Sequence, residues 1–283
     1  MRVRLPYRGP FTHAPLWGAL RAHTVSGLER HDPDGTHTRV VSGPHGPALV
    51  SVAVRPADGY VEAHVTSAHP DDVAALTAVV RRWLDLDADP LPIDAALSRH
   101  AALAPLVALR PGLRRLGSVD GFETAVLTVL GQQVSLAAAR TFGGRLVSAY
   151  GLPVHDGFFA FPEPETLAAL TPEELRATVG LTGARAKTVH ALAAAASDGL
   201  RLGADTDPAD FRAGLTALPG IGPWTADYLT VRVLGDPDAF TPDDLVLKRA
   251  LGVKTGRQAA ELAEAWRPWR AYALFHLWTD EAY

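Results

Sequence analysis

The sequence predicts an α+β protein, with an N-terminal antiparallel sheet and flanking helices followed by a body that is helical almost throughout. Three observations carry this prediction. Segments rich in β-branched residues alternate with glycine and proline turns between residues 36 and 66. From Leu113 onward, helix-capping patterns recur. A glycine-rich turn between two helical segments then occupies residues 218–222.

The N-terminal sheet is predicted from three segments. They share β-branched composition and partial alternation, and they span Thr36 to Val41, Ala48 to Val54 and Tyr60 to Thr66. Helical patterns from Pro15 to Glu29 and from Pro70 to Leu84 bracket them. We expect this α+β domain to cover residues 1–110.

The helical body is predicted from its capping residues. The expected N-caps are Ser118 or Asp120, then Ser135 and Thr171. Glu174 completes a capping box with Thr171. We expect a central helical domain over residues 111–205, and a last domain over residues 206–283 that contains the glycine turn.

Composition limits the function classes. A chain of 283 residues, 47% of them hydrophobic, can bury a large core and form two or three domains. It shows neither an apolar run of ~18 residues nor a basic leader followed by an apolar stretch, so we expect a cytoplasmic protein that does not enter a membrane. The absence of cysteine excludes an iron–sulfur cluster, and the 11 histidines show no metal-binding spacing.

The charge balance bears on nucleic-acid binding. The net charge of −4 is not that of a protein with a broad basic face. However, 24 of the 27 cationic residues are arginines, which can hold phosphates locally. We therefore expect few phosphate contacts and modest affinity for DNA.

The segment Leu218-Pro219-Gly220-Ile221-Gly222 predicts a sharp turn between two helices. Pro223 suits the first turn of the second helix. Free amides at such a turn, together with the positive end of the helix, bind anions, and the expected anion is a nucleic-acid phosphate. Gly220, Ile221 and Gly222 are therefore predicted DNA-binding residues.

Four blocks in order carry a resemblance to a known family. They are Leu130 to Ser135, Gly220 to Tyr228, Pro242 to Asp244, and Trp266 to Leu274. These blocks resemble the bacterial 3-methyladenine DNA glycosylase II (AlkA) family of helix-hairpin-helix DNA glycosylases. The resemblance spans Arg110 to Trp278 and, more faintly, the N-terminal part.

The resemblance implies an enzyme that hydrolyses the N-glycosidic bond of alkylated bases in double-stranded DNA, such as 3-methyladenine and 7-methylguanine. It also implies a monomer in the bacterial cytosol that requires no cofactor. Two other functions stay open. The protein could be a non-catalytic helix-hairpin-helix protein that binds damaged DNA, or a glycosylase for oxidised purines.

Asp244 is the predicted catalytic residue. The pattern Thr241-Pro242-Asp243-Asp244 predicts a helix with Thr241 as N-cap and Asp244 at its third position. From spacing alone, Asp244 could serve only to cap that helix. The resemblance places the catalytic aspartate at Asp244, where a fixed anion stabilises the positive charge that develops on the deoxyribose.

Aromatic residues are predicted to hold the flipped base. Trp224 and Tyr228 stand four residues apart and so share a helix face, although an ordinary core would explain them equally well. The resemblance places both in the base pocket, together with Trp278. It also implies an aromatic residue on the N-terminal helix, where this chain has Ala19, so we expect a pocket more open on that side.

The remaining site predictions concern the wedge, a cation and a missing amine. Gln132 and Gln133 lie between two helices and could fill the gap left by a flipped nucleotide, or could simply be polar loop residues. The resemblance implies a monovalent cation, Na⁺ or K⁺, on the backbone carbonyls of Thr216, Leu218 and Ile221. Related bifunctional enzymes have a lysine at the position of Trp224, so we expect a monofunctional enzyme.

Overall fold

The computed structural model describes residues 1–282, without the side chains of residues 281 and 282. Its N-terminal strands are β1 (Arg2–Pro6), β2 (Glu29–His31), β3 (His37–Gly43), β4 (Gly46–Arg55) and β5 (Tyr60–Thr66). They form one antiparallel sheet in the order β1-β5-β4-β3-β2. The predicted antiparallel sheet is confirmed, and β1 and β2 extend it at its two edges.

Two helices flank the sheet, α1 (Ala14–His23) and α2 (Val73–Trp83). The predicted second helix is confirmed, apart from a 3₁₀ turn over its first three residues, Pro70–Asp72. The predicted first helix is too long. It ends at His23 because the backbone leaves the helical conformation at Thr24, whose ψ is 119°, and Glu29 already belongs to β2.

The body of the protein is helical. Its helices are α3 (Pro90–Leu97), α4 (Ala104–Leu109), α5 (Gly121–Gly131), α6 (Leu136–Tyr150), α7 (Pro164–Ala168), α8 (Pro172–Val179), α9 (Gly183–Ser197), α10 (Pro208–Thr216), α11 (Pro223–Leu229), α12 (Leu245–Ala250), α13 (Gly256–Ala263) and α14 (Arg270–Ala282). A short hairpin of β6 (Leu152–Pro153) and β7 (Phe159–Ala160) interrupts them. The α+β fold class is confirmed. Within the described residues, no helix has both the length and the apolar character needed to cross a membrane.

The predicted caps start their helices. The side chains of Asp120, Ser135 and Thr171 accept backbone N–H groups in the first turns of α5, α6 and α8. Each such cap satisfies an amide that the helix itself leaves without a partner. Asp120, rather than the alternative Ser118, is the cap of α5.

The apolar cores show how the chain packs. One core joins α1 and α2 to the sheet. A second lies inside the bundle from α5 to α11 and includes Phe122, Phe211 and Leu229. A third packs α3 and α4 against α12–α14, through Leu97, Leu103 and Leu274 among others. Helices α3 and α4 thus support the C-terminal helices, and the three-domain division stays a prediction.

A buried ion pair connects the sheet to the helical body. Arg39 on β3 donates to Glu29 Oε1 at 2.7 Å and to Glu123 Oε1 at 2.5 Å. Arg39 and Glu123 are both buried, and removing either partner would leave the other as an uncompensated buried charge. Glu123 lies in the first turn of α5, whose far end carries Gln132.

Candidate active site and DNA-binding turn

The glycine turn lies between α10 and α11, and Gly220 is its constrained residue. Gly220 has a φ of 81°, and a Cβ there would come within 2.0 Å of Thr188 Oγ1 on α9. A side chain is therefore excluded both by the backbone conformation and by the neighbouring helix. Ile221 fixes the turn from inside because its side chain is buried in the core of the bundle.

Gly222 differs from Gly220. Its φ is −88°, and a Cβ would meet no atom within 4 Å. The sharp turn predicted for this segment therefore requires a glycine at position 220 but not at position 222. It is the N-cap of α11 and is exposed, with Pro223 following it. Open space at Gly222 leaves the first turn of α11 accessible to a ligand.

Asp244 lies at the start of α12, but not as the sequence predicted. Asp244 itself is the N-cap, and its Oδ1 accepts the N–H of Leu247 at 2.9 Å. The predicted N-cap Thr241 precedes a turn, in which its carbonyl accepts the N–H of Asp244 at 3.2 Å. Asp243 is exposed beside Gly256 and does not cap α12.

The structure brings the predicted aromatic residues together around Asp244. Trp224 Nε1 donates to Asp244 Oδ2 at 3.0 Å, and Trp278 Nε1 donates to Asp244 Oδ1 at 3.0 Å. The rings of Trp224 and Tyr228 stack with centroids 5.5 Å apart and an interplanar angle of 18°. Tyr228 and Trp278 lie 5.9 Å apart at 48°.

The surroundings of Asp244 suit a carboxylate that stabilises a positive charge. The carboxylate is only 6% exposed, and it accepts two indole N–H groups and one backbone N–H. All three partners are donors, so they stabilise the anion and hold it in one orientation. A fixed anion in a site with little water can stabilise a developing positive charge without reorganising.

The aromatic rings have to separate before they can hold a base between them. A planar base between two parallel rings needs ~7 Å, twice the ~3.5 Å contact distance between carbon atoms. The Tyr228 and Trp278 centroids are 5.9 Å apart and their planes are tilted by 48°. Trp278 would therefore rotate and shift by about 1 Å to receive a base, since ~7 Å exceeds the present separation.

Gln132 is engaged within the protein rather than free. It is the C-cap of α5, and its side-chain amide donates to Thr225 Oγ1 at 3.1 Å and to the Gly220 carbonyl at 3.3 Å. Arg185 donates to its carbonyl. Gln132 therefore links the end of α5 to the glycine turn. Gln133 is exposed and has a φ of 53°, so of the two it is the one free to reach DNA.

Arg232 is a residue of this site that sequence reasoning missed. Its Nη1 donates to Tyr228 Oη at 2.6 Å, and its Nε donates to the Leu116 carbonyl at 2.8 Å. It lies in a π-helical segment, Thr230–Leu234, that follows α11 directly. Its spacing of four residues from Tyr228 was the available signal.

The predicted cation-binding carbonyls lie around the glycine turn. Within residues 1–282, the carbonyls of Thr216 and Ile221 accept no hydrogen bond, and that of Leu218 accepts one from Ile221 N–H at 3.3 Å. Carbonyl oxygens with free lone pairs fit a hard monovalent cation. Among the side chains that the structure describes, no group of three or more His, Asp or Glu residues could hold a metal ion.

Ala19 packs against the core of the sheet and flanking helices. Phe275 of α14 packs against the same core, and its ring lies 5.3 Å from that of Trp278. The effect of Ala19 on the width of the pocket stays a prediction.

An N-terminal sheet, a helical body with a glycine turn, and an aspartate among aromatic rings together define the class of helix-hairpin-helix DNA glycosylases. Comparison with protein families agrees with this class. Residues 126–271 match the family model described as HhH-GPD superfamily base excision DNA repair protein. Residues 2–120 match the AlkA N-terminal domain. The chain belongs to the AlkA-type 3-methyladenine DNA glycosylases of this superfamily, as the resemblance predicted.

Two curated relatives support this assignment. DNA-3-methyladenine glycosylase 2 of Escherichia coli (strain K12) is 33% identical over 282 residues, covering 99% of this chain and 97% of that protein. A probable bifunctional transcriptional activator/DNA repair enzyme AlkA of Mycobacterium tuberculosis is 44% identical over 286 residues. That alignment covers 98% of this chain, which spans only 56% of the length of the mycobacterial protein.

The fold has solved counterparts. The 3-methyladenine DNA-glycosylase from Archaeoglobus fulgidus superposes with a TM-score of 0.83 at 20% identity, covering 99% of this chain and 98% of the other. The structure of MBOgg1 in complex with a low-affinity DNA ligand superposes with a TM-score of 0.74 at 20% identity, covering 98% and 93%. At these identities the likeness concerns the fold alone.

Proposed function

We propose that this protein hydrolyses the N-glycosidic bond of alkylated purines in double-stranded DNA, of the 3-methyladenine and 7-methylguanine type. One observation carries the proposal. Asp244 is held by the indole N–H groups of Trp224 and Trp278 within a cluster of aromatic rings. Family membership supports it, because the Escherichia coli relative is named DNA-3-methyladenine glycosylase 2.

The proposed role of Asp244 is electrostatic. As the glycosidic bond breaks, positive charge develops on the sugar, and the carboxylate stabilises it. Two unit charges 4 Å apart attract by about 4 kcal/mol at an effective dielectric constant of ~20, which corresponds to about a thousandfold in rate. The three donors on the carboxylate keep it directed at the sugar. They also stabilise the anion and so make the carboxylate a weaker base.

The aromatic rings favour electron-poor bases. An alkylated purine is often cationic, and a cation over an aromatic face gains about 0.5–2 kcal/mol. We propose that the base enters between Tyr228 and Trp278, whose rings are the more widely spaced and tilted pair. An unmodified neutral base would gain less from the same rings, which favours damaged bases over normal ones.

The proposed grip on DNA uses the glycine turn. Gly222 is exposed, and since Pro223 has no N–H, the backbone amides of Gly222 and Trp224 are the ones that could donate to a phosphate oxygen. Gln133, exposed and adjacent to the turn through Gln132, would enter the duplex where the base has left. With a net charge of −4, the protein should neutralise few phosphates.

The enzyme would be monofunctional. Cutting the strand requires an amine that attacks the sugar, and this chain has only Lys187, Lys248 and Lys254. Trp224, whose indole donates to Asp244, cannot form an imine. We further propose a monomer acting on chromosomal DNA in the cytoplasm, with no required cofactor and with a structural Na⁺ or K⁺ at the carbonyls of the turn.

Chromatography of bases released from methylated duplex DNA tests this function. The purified protein should release 3-methyladenine and 7-methylguanine, and the variant Asp244→Asn should not. A protein that bound methylated DNA but released no base would be a binding protein only. Release of oxidised purines from oxidised DNA, with no release of methylated ones, would identify an oxidised-purine glycosylase instead.

A further inference from the structure

Two helices of the body carry positive charge and no acidic residue. α6 contains Arg140 and Arg145, α9 contains Arg185 and Lys187, and neither helix contains an aspartate or a glutamate. The chain as a whole is acidic, with 31 Asp and Glu residues against 27 Lys and Arg residues. Positive charge is therefore concentrated on α6 and α9 of a protein whose net charge is negative.

These four cations are not neutralised within the protein. Among the side chains that the structure describes, none of the four forms an ion pair. Arg201, just beyond the end of α9, differs because it pairs with Asp205. Arg140 and Lys187 are exposed. Clustered cations without carboxylate partners are typical of a surface that binds a polyanion.

Arg140 is held in place without losing its charge. Its Nε donates to the carbonyl of Thr24 at 2.9 Å. A carbonyl carries no net charge, and the other N–H groups of the guanidinium stay available to a further acceptor. Arg140 lies about one helical turn after Leu136, the first residue of α6, and Gln133 lies three residues before Leu136.

Lys187 lies beside the glycine turn. The next residue on α9 is Thr188, and a Cβ at Gly220 would lie 2.0 Å from its Oγ1. Arg185, on the same helix, donates to the carbonyl of Gln132, the C-cap of α5. The start of α9 thus adjoins both the glycine turn and the loop between α5 and α6.

We propose that Arg140 and Lys187 bind phosphates of the DNA backbone next to the glycine turn and Gln133. The inference rests on the proposed function, because DNA is the polyanion that such an enzyme has to hold. It adds two charged contacts, from α6 and α9, to the contacts that the backbone amides of the turn would make. Phosphate contacts fix the position of the duplex and do not read its sequence, so damaged and undamaged DNA should depend on them equally.

The test is the salt dependence of binding to an undamaged duplex, followed by fluorescence anisotropy. Arg140→Gln and Lys187→Gln should each lower the slope of log affinity against log salt by about 0.9, the value for one phosphate of B-DNA. The double variant should lower the slope by about twice that amount, because the two contacts are separate. The slope of the parent protein stays shallow, since few phosphates are neutralised.

Two control variants separate contact from overall charge. Arg201→Gln removes the same charge beyond the other end of α9 and should leave the slope unchanged. Arg140→Lys keeps the charge and should keep the slope of the parent. In single-turnover excision of methylated duplex, the loss in Arg140→Gln and Lys187→Gln should appear as a higher enzyme concentration for half the maximal rate. A merely structural role would lower the maximal rate and the melting temperature instead.

The inference fails if the double variant keeps the slope of the parent, or if Arg201→Gln lowers the slope as much as the variants of the proposed contacts. If Arg140→Gln did not fold, as judged by its melting temperature, an unchanged slope in Lys187→Gln would by itself reject the proposal. Release of methylated bases with a slope insensitive to these variants would reject the inference alone. Slopes that fell as expected in a protein that released no base would leave the contacts standing and reject the proposed catalysis.

Discussion

Trp224 Nε1 lies 3.0 Å from Asp244 Oδ2, and this bond joins the helix after the glycine turn to the start of α12. The indole ring of Trp224 also stacks on the ring of Tyr228, with centroids 5.5 Å apart. Trp224 therefore has two roles. Its N–H orients the Asp244 carboxylate, and its ring forms one end of the aromatic cluster. Changes at Asp244 should affect both.

The first prediction concerns Asp244→Asn. The new amide can keep one oxygen for Trp278 and Leu247, but its NH₂ then faces the N–H of Trp224. We expect base excision to fall about a thousandfold or more, the size of the lost charge interaction. We also expect unfolding stability to fall by about 1–3 kcal/mol from the unmatched donors.

Asp243→Asn is the matched control for this prediction, because Asp243 is the exposed neighbour of Asp244. Single-turnover excision of methylated DNA and urea unfolding should both stay close to those of the parent protein. If the change at Asp243 were the severe one, the assignment of the catalytic carboxylate would be wrong.

The second prediction separates the two glycines of the turn. Gly220→Ala should lower unfolding stability by about 2 kcal/mol or more, since alanine is strained at a φ of 81° and its methyl collides with Thr188. Gly222→Ala should lower unfolding stability by about 1 kcal/mol or less, because the space around that position is open and the only cost is that of alanine at the N-cap of α11. It should nevertheless weaken binding to damaged and undamaged duplexes alike, since phosphate contacts do not read sequence.

Denaturant unfolding and DNA titration at several salt concentrations check this pair of variants. The parent protein should show a shallow dependence of affinity on salt, as expected for few neutralised phosphates. Unchanged affinity in Gly222→Ala would remove the turn from the DNA interface, and a steep salt dependence would contradict a grip made by amides.

Part of this site could be predicted because its information is local. Trp224 and Tyr228 share a helix face because they are four residues apart, and the turn at Gly220 is predicted from residues that are adjacent in the sequence. The strand β1 also had a local signal, with Val3 and Leu5 alternating with arginines, yet it was not predicted. A three-residue strand such as β2 offers no comparable pattern.

The rest depends on contacts between distant parts of the chain. The partners of Arg232 at Leu116 and Gly117 lie about 115 residues away, so the residue looks like any helical arginine in sequence. Trp278 was placed at the site only by family resemblance. The sequence Thr-Pro-Asp-Asp is consistent with either Thr241 or Asp244 as the N-cap of α12, so the pattern alone does not identify the cap. The turn that ends at Asp244 decides between them.

The third prediction concerns stability and pH through His276, which lies on α14 two residues before Trp278 and is 1% exposed. Burial, and then the charge of Arg110, lowers the pKa of His276 to about 4. The unfolded chain binds this proton below its ordinary pKa of ~6.5, whereas the folded protein does not until about pH 4. Stability is therefore lost as pH falls from ~6.5 toward ~4.

Comparing variants isolates this effect. Burial raises the pKa of Glu123 to about 7, so that carboxyl changes stability in the opposite direction and masks part of the total. Between pH 7.5 and pH 5, the parent protein should lose about 2 kcal/mol more than His276→Gln. The exposed His64 supplies the control His64→Gln, which should keep the pH dependence of the parent. Equal losses in the parent and in His276→Gln would show that His276 does not titrate as described.

The last prediction is that the enzyme leaves an intact abasic strand. Bifunctional glycosylases form an imine between a lysine and the sugar, and borohydride traps it as a covalent adduct. Of the three lysines, Lys248 lies closest to Asp244 in the chain, and its N–H donates to the Asp244 carbonyl at 3.0 Å, one helical turn away. It follows the carboxylate on α12, whereas Trp224 and Trp278 contact the carboxylate directly. No adduct should therefore form on methylated duplex DNA, and strand breaks should appear only after alkali. A trapped adduct that disappeared in Lys248→Ala but persisted in Lys254→Ala would assign the nucleophile to Lys248 and overturn the monofunctional mechanism.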